Sequence, residues 1–526
     1  MNKINNPILP GFNPDPSIVR VEDTYYIANS TFQWFPGVQI HKSKDLANWE
    51  LVTRPLESTK LLDMKGIPDH GGIWAPCLSY SDGRFWLIYT NVHSLRGIYK
   101  DTPNYLTTAE SIEGPWSDPV YINSSGFDPS LFHDDDGKKY FINMIWDHRP
   151  WKKNSFYGIV MQEYSTGEQK LIGTPELIFK GSDHRLVEGP HLYKKDGFYY
   201  LFCAEGGTSY DHCETVARSR NINGPYEIHP QNPLITARDY PDSILQKTGH
   251  GDIVQTPGGE WYFVHLTGRP SLCGGFCVLG RETAIEKIDW PMAEWPRIAT
   301  GGNEPALSVP LPKGSQDLQK TLPPEESYSF NAPRLAQPFQ TLRVPQKGNM
   351  SLSARPGYLR MYGKESLSSL INQSLVGLRV DHPVFTASTV LEFDPWSFQQ
   401  SAGLSAYYDT SSYYYLHMSF DEERKRVLHL QTCRHKQFEY PVYNINIPDS
   451  GAIHLKVEID AGELQFFWSL QGKDWNPAGP RLKTDVISDD FEQDLRFTGA
   501  FCALCCQDLA GTNHPADFEG MSIKRG

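Results

Sequence analysis

The chain has 526 residues, too many for one core of ordinary size, and its 27 Tyr, 26 Phe and 13 Trp beside 43 Gly and 39 Pro describe a turn-rich, mainly β protein of two domains. A formal net charge of −13 excludes the clustered basic surface that nucleic acid or an anionic membrane requires, and a neutral ligand fits better. Nine cysteines, an odd number scattered from Cys77 to Cys506, exclude a disulfide framework. Cys273 with Cys277, and Cys502 with Cys505 and Cys506, lack the second ligand pair of a zinc site and read as buried free thiols.

The first thirty residues contain neither an apolar signal-peptide core nor a long hydrophobic span, so a cytoplasmic location is the expectation. Within them GFNPDPSI, residues 11 to 18, sets Asp15 between two prolines whose rings fix their own φ and restrict the residue before them. Taken alone this is turn chemistry. The stretch recurs, however. DPSIVRVEDTYYIANST from Asp15, APCLSYSDGRFWLIYTN from Ala75, DPSLFHDDDGKKYFINMIWD from Asp128, EGPHLYKKDGFYYLFCAEGG from Glu188 and GDIVQTPGGEWYFVHLTG from Gly251 each give an apolar strand, a turn and an aromatic strand. They start about sixty residues apart, room for four strands, and second hairpins fill the gaps from Val38, Tyr105, Ile159, Thr215 and Cys277. Five such units predict a five-bladed β-propeller over residues 1–298.

The first strand of each blade lines the central channel, so matched positions converge there. Read this way, Asp15, Asp128 and Glu188 hold one position in blades one, three and four, and Ala75 holds it in blade two. Three acids around one cavity repel each other and add nothing to the fold, which marks a functional site; a bound cation is the rival use of the same acids. Paired carboxyl groups suit glycoside hydrolysis, one protonating the leaving oxygen and the other attacking or activating water, with a third raising the donor's pKa. Phe32, Trp34, Trp74 and Trp146 lie at strand ends near the acids, where flat rings would pack on a sugar. Arg281 in GRETA suits a site carboxylate, a sugar hydroxyl or equally a structural salt bridge, and His250 in TGHGDIV suits a satisfied core imidazole, a site hydrogen bond or a metal held through water.

From residue 299 to 324 the sequence is rich in Gly, Pro and Ser and reads as a linker. From 325 to 526, short alternating strands such as ASTVLEFDP, SSYYYLHMSF and AIHLKVEID predict a β-sandwich of jelly-roll, concanavalin-like type.

The motifs GFNPDPSIVR, STFQWFPGVQIHKSKDLANW, GGIWAP, GFDPSLFHDDDGKKY, VEGPHLY, AEGGTSY, TGHGDIV, HLTGRP and LGRETAI occur in order along nearly the whole chain. Together they resemble glycoside hydrolase family 43, in its two-domain β-xylosidase group acting on xylo-oligosaccharides. The resemblance implies an inverting exo-hydrolase with Asp15 as general base, Glu188 as general acid and Asp128 as the group that tunes and orients the acid. It also implies Phe32, Trp74, Ala75, Trp146, Thr208, His250 and Arg281 around the terminal sugar, and Phe497 as an aromatic contributed by the sandwich. No cofactor is implied, although a divalent cation, calcium or magnesium, near His250 activates some relatives, and a homo-oligomer, dimer or tetramer, is the implied assembly. One departure stands out: SLCGGFCV, between HLTGRP and LGRETAI, is shorter than the family pattern. The rival readings are an α-L-arabinofuranosidase and a noncatalytic carbohydrate-binding propeller.

Overall fold

Each repeat forms one antiparallel sheet, built outward from the channel in sequence order. In the first, Ser17–Val21 pairs with Thr24–Asn29, then Gln39–Ser43, then Glu50–Thr53. The innermost strands of the other four are Gly72–Ser81, Ser130–His133, Glu188–Lys195 and Gln246–Gln255. Each innermost strand packs against the next, and the fifth packs against the first, which closes the five-bladed propeller predicted from the repeat. The computed structural model describes residues 3–315, 319–492 and 496–526. Among these there is no α-helix, only two short 3-10 turns, and no helix is long and apolar enough to cross a membrane.

Closure depends on a segment outside the repeats. Leu9 bridges Thr283 on the third strand of the last blade, and Lys3–Asn5 pairs antiparallel with Ser308–Pro310. Ile4, Ile8, Leu9, Val309 and Leu311 join Ile18 and Ile27 of the first blade and Val264 and Ile285 of the last in one apolar cluster. Burying that seam holds the two ends of the ring together. Part of the stretch whose composition reads as a linker is therefore packed structure: Val309 is fully buried and Leu311 nearly so. Residues 316–318 of that stretch lie outside the described residues.

The chain divides into two compact units, Met1–Gly268 with Arg281–Lys320, and Arg269–Gly280 with Thr321–Gly526. The second unit is a sandwich. One sheet centres on Pro515–Arg525, Val384–Phe393 and Ile453–Asp460, the other on Ser412–Asp421, Gln400–Asp409 and Phe501–Asp508. Val384–Phe393 alternates half-buried and buried residues along its length, the period-two pattern of a strand facing a core on one side. Cys273, Val278 and Leu279 of the short excursion belong to this sandwich core, and Ala500 donates its backbone N–H to Val278 O at 2.9 Å. The short SLCGGFCV segment, which sequence places inside the fifth blade, is thus part of the second unit.

Candidate active site

The geometry corrects the phase of the repeat. Asp15, Ala75, Asp128, Gly189 and His250 all adopt left-handed backbone, with φ of 50°, 35°, 54°, 57° and 50°. These five, and not Glu188, are the equivalent residues. In blades two, four and five the pairing of the two inner strands slips at this point, between Trp74 and Cys77, Glu188 and His191, and Gly249 and Gly251. An irregularity of this kind re-aims the side chains on either side of it, a usual device beside active sites. Glu188 therefore occupies the preceding position, which Trp74 and Phe127 hold in blades two and three. A repeat of backbone conformation across Asp, Ala, Gly and His leaves little trace in residue type, which is why the sequence matched acid to acid.

Asp15 is the most firmly held of the acids. Ser30 donates its hydroxyl to Oδ2 at 2.6 Å, and Arg281 donates Nη1–H to Oδ1 at 2.9 Å. The same Ser30 oxygen accepts the Ala75 N–H at 2.7 Å, so one hydroxyl joins the first two blades. The same Arg281 nitrogen reaches Thr208 Oγ1 at 2.9 Å, joining the fourth and fifth. Both donors fix the orientation of the Asp15 carboxyl group.

Asp128 and Glu188 have the opposite surroundings. Burial first, and then the negative charge of Asp15, push the Asp128 carboxyl up. Burial, followed by the charges of Asp128 and Asp15, raises Glu188 well above the ordinary carboxylate range. Among the described residues none donates a hydrogen bond to the Glu188 carboxyl. Burial and mutual repulsion thus favour a proton held on the Asp128–Glu188 pair. Asp128 also accepts the Gly189 N–H at 3.2 Å, which pins the backbone next to Glu188.

His250 links the centre. Its Nδ1 lies 4.0 Å from an oxygen of Asp15 and 4.0 Å from one of Asp128, and burial holds its pKa down to about 4, so the ring is neutral at pH 7. A Cβ at Gly189 would approach the His250 ring to 3.2 Å, so glycine serves both the left-handed φ and the close approach. As a cation ligand His250 offers one nitrogen. The described residues that could jointly hold an ion, Cys277, Asp489 and Asp490, belong instead to the second unit, where Asp490 accepts the Cys277 N–H at 2.7 Å. An ion at His250 would have to be held mainly through water.

The aromatic residues form a wall. Phe32 lies 5.9 Å from both Phe12 and Trp74, Trp74 meets Phe127 edge-on at 5.4 Å, and Phe127 lies 6.3 Å from Trp146. Arg281 rests over the Phe32 ring at 5.3 Å, which ties this wall to the acids. Trp34, by contrast, is fully buried. Of the residues expected around the site, the first unit gathers all but Phe497, which belongs to the second unit, where Tyr408 accepts the neighbouring Thr498 N–H at 3.2 Å. Sequence missed Ser30, Phe127 and Gly189. Only Phe127 carried a signal, since it precedes Asp128 as Trp74 precedes Ala75.

Residues 4–296 match the model of glycosyl hydrolases family 43, and residues 327–524 match that of the β-xylosidase C-terminal concanavalin A-like domain. The chain belongs to glycosyl hydrolase family 43. Within this family it is 50% identical to a β-xylosidase of Bacillus subtilis, over 99% of both chains. It is 49% identical to xylosidase/arabinosidase 43B of Humicola insolens, over 99% of this chain and 97% of that protein. The crystal structure of xylan β-1,4-xylosidase from Bacillus halodurans superimposes with a TM-score of 0.96 at 50% identity, covering 99% of this chain and all of that one.

Proposed function

We propose that the protein is an inverting exo-β-xylosidase that removes single xylose units from the non-reducing end of β-1,4-xylo-oligosaccharides, with α-L-arabinofuranosides as a second substrate class. The observation that carries this reading is the contrast between Asp15, which accepts hydrogen bonds from Ser30 and Arg281, and Glu188, whose carboxyl burial and two acidic neighbours raise well above the ordinary carboxylate range. Full-length similarity to proteins named for xylose and arabinose release supports the substrate class.

In this mechanism Asp15 removes a proton from water as the water oxygen bonds to the anomeric carbon. The glycosidic bond breaks, and Glu188 delivers its proton to the departing oxygen. Asp128 raises the proton affinity of Glu188 and fixes its backbone through Gly189. Neutral His250 sits between Asp15 and Asp128 without competing as an acid.

Turnover of xylobiose and of 4-nitrophenyl β-D-xyloside by wild type, Asp15→Ala and Glu188→Ala tests the reading: Asp15→Ala should lose about 10²–10⁴-fold in kcat on both, and Glu188→Ala a similar factor on xylobiose but less on the aryl xyloside, whose leaving group departs without a proton. Proton NMR of the first product should show α-xylose. No turnover on any pentoside would reject the enzyme reading in favour of a binding propeller, and β-xylose appearing first would reject inversion. Parallel assays with an aryl α-L-arabinofuranoside, with and without chelator, rank the second substrate and test for a cation.

A further inference from the structure

The rim of blades two and three carries a pair of stacked rings that the reaction does not use. Tyr99 is 60% exposed and stacks on the exposed His148, with ring centroids 4.9 Å apart and planes 29° apart. An exposed large ring is held this way at a cost in hydration, and such surfaces commonly mark binding sites. Tyr99 lies in a loop closed by the bridge between Ser94 and Asp101, and the loop is anchored to the half-buried Trp146 twice. The Trp146 indole N–H donates to Ile98 O at 2.9 Å, and Lys100 Nζ lies 4.5 Å over the Trp146 ring while donating to Leu95 O at 2.7 Å.

The stack also has a direction relative to the chemistry: Gly189, the residue after Glu188, donates its N–H to Asp128, and Phe127, which precedes Asp128, lies 6.3 Å from Trp146. From Glu188 the contacts run through Asp128 and Phe127 to Trp146, and through the loop bonded to Trp146 to Tyr99 and His148. Glu188 protonates the leaving oxygen, so this direction is the leaving-group side. We propose that Tyr99 and His148 form a distal subsite for a pyranose of the leaving chain, beyond the sugar next to the scissile bond, and so favour xylotriose and longer substrates over xylobiose. The two rings present a flat face to the sugar, and the phenol and imidazole edges offer hydrogen bonds to its hydroxyls.

This inference rests on the xylosidase reading, and the experiment keeps the two apart. The ratio of kcat/KM for xylotriose to that for xylobiose is measured for wild type, Tyr99→Ala, Tyr99→Phe and His148→Ala, with circular dichroism to confirm folding. Wild type should favour xylotriose by about three- to tenfold, Tyr99→Ala and His148→Ala should bring the ratio close to one, and Tyr99→Phe, which keeps the flat ring, should retain most of it. Calorimetric titration of Glu188→Gln with both sugars gives the same ladder as affinity. A wild-type enzyme indifferent to the third sugar, or a ratio unmoved in Tyr99→Ala and His148→Ala, would overturn the subsite. Absence of turnover would sink the activity reading alone, while the affinities would still decide for or against the stack.

Discussion

Arg281 and Asp128 act on the same proton with opposite signs. Arg281's positive charge lowers Glu188, and Asp128's negative charge raises it. Because the alkaline limb of a hydrolase of this kind follows loss of the acid's proton, Asp128→Asn should move that limb of kcat to lower pH, and Arg281→Gln should move it to higher pH. Both variants should also lose activity, through misplacement of Glu188 in the first and of Asp15 in the second. A pH–rate series in which both limbs shift the same way would show that charge is not what tunes the acid. Asp128 also bears on stability. A carboxyl raised by folding contributes its full stabilisation below the ordinary carboxylate pKa and loses it as pH rises through the folded value. Asp128→Asn can still accept the Gly189 N–H, so thermal denaturation at pH 8 should show Tm raised by about 2–4 °C while activity falls.

At the scale of the element, the left-handed residue at the head of each inner strand is what aims the site. Gly189→Ala tests it directly, since a methyl group there is strained at φ 57° and meets the His250 ring. The variant should lose about 1–2 kcal/mol of stability by denaturant melts, and kcat should fall more than KM rises, because Glu188 is the adjacent residue. The hairpins were legible in the sequence because strand, turn and strand are neighbours along the chain, and the three acids were legible because they recur with the hairpins. Their phase was not, because the conserved feature is a backbone angle carried by four residue types. Nor could composition reveal that the Pro- and Gly-rich stretch after residue 298 covers a seam with Ile4 and Leu9, since the pairing partner lies some three hundred residues away.

Across the whole molecule the thiols behave alike. All nine cysteines are free and buried, and burial pushes Cys77 up to about 12 and Cys203 and Cys505 well above the ordinary thiol range. Ellman's reagent should therefore label essentially none in the native protein and all nine in guanidinium chloride. The sandwich core has a further dependence: Cys273, Val278 and Leu279 enter it from the middle of the propeller sequence. A chain cut after Lys320 would leave those side chains, with Leu272 and Phe276 packed around them, stripped of their cover. It should express as an aggregating species in size-exclusion chromatography, whereas the same cut with Leu272, Phe276, Val278 and Leu279 changed to Ser should recover soluble protein.

That excursion also constrains descent. Modules joined end to end can be exchanged by one genetic crossover at the junction, but here a dozen codons belonging to the later module are embedded within the earlier one, immediately upstream of the codon for Arg281. A recombination that replaced only the carboxy-terminal half would carry a mismatched insert beside the guanidinium that anchors Asp15, so successful exchange requires the two tracts to change together.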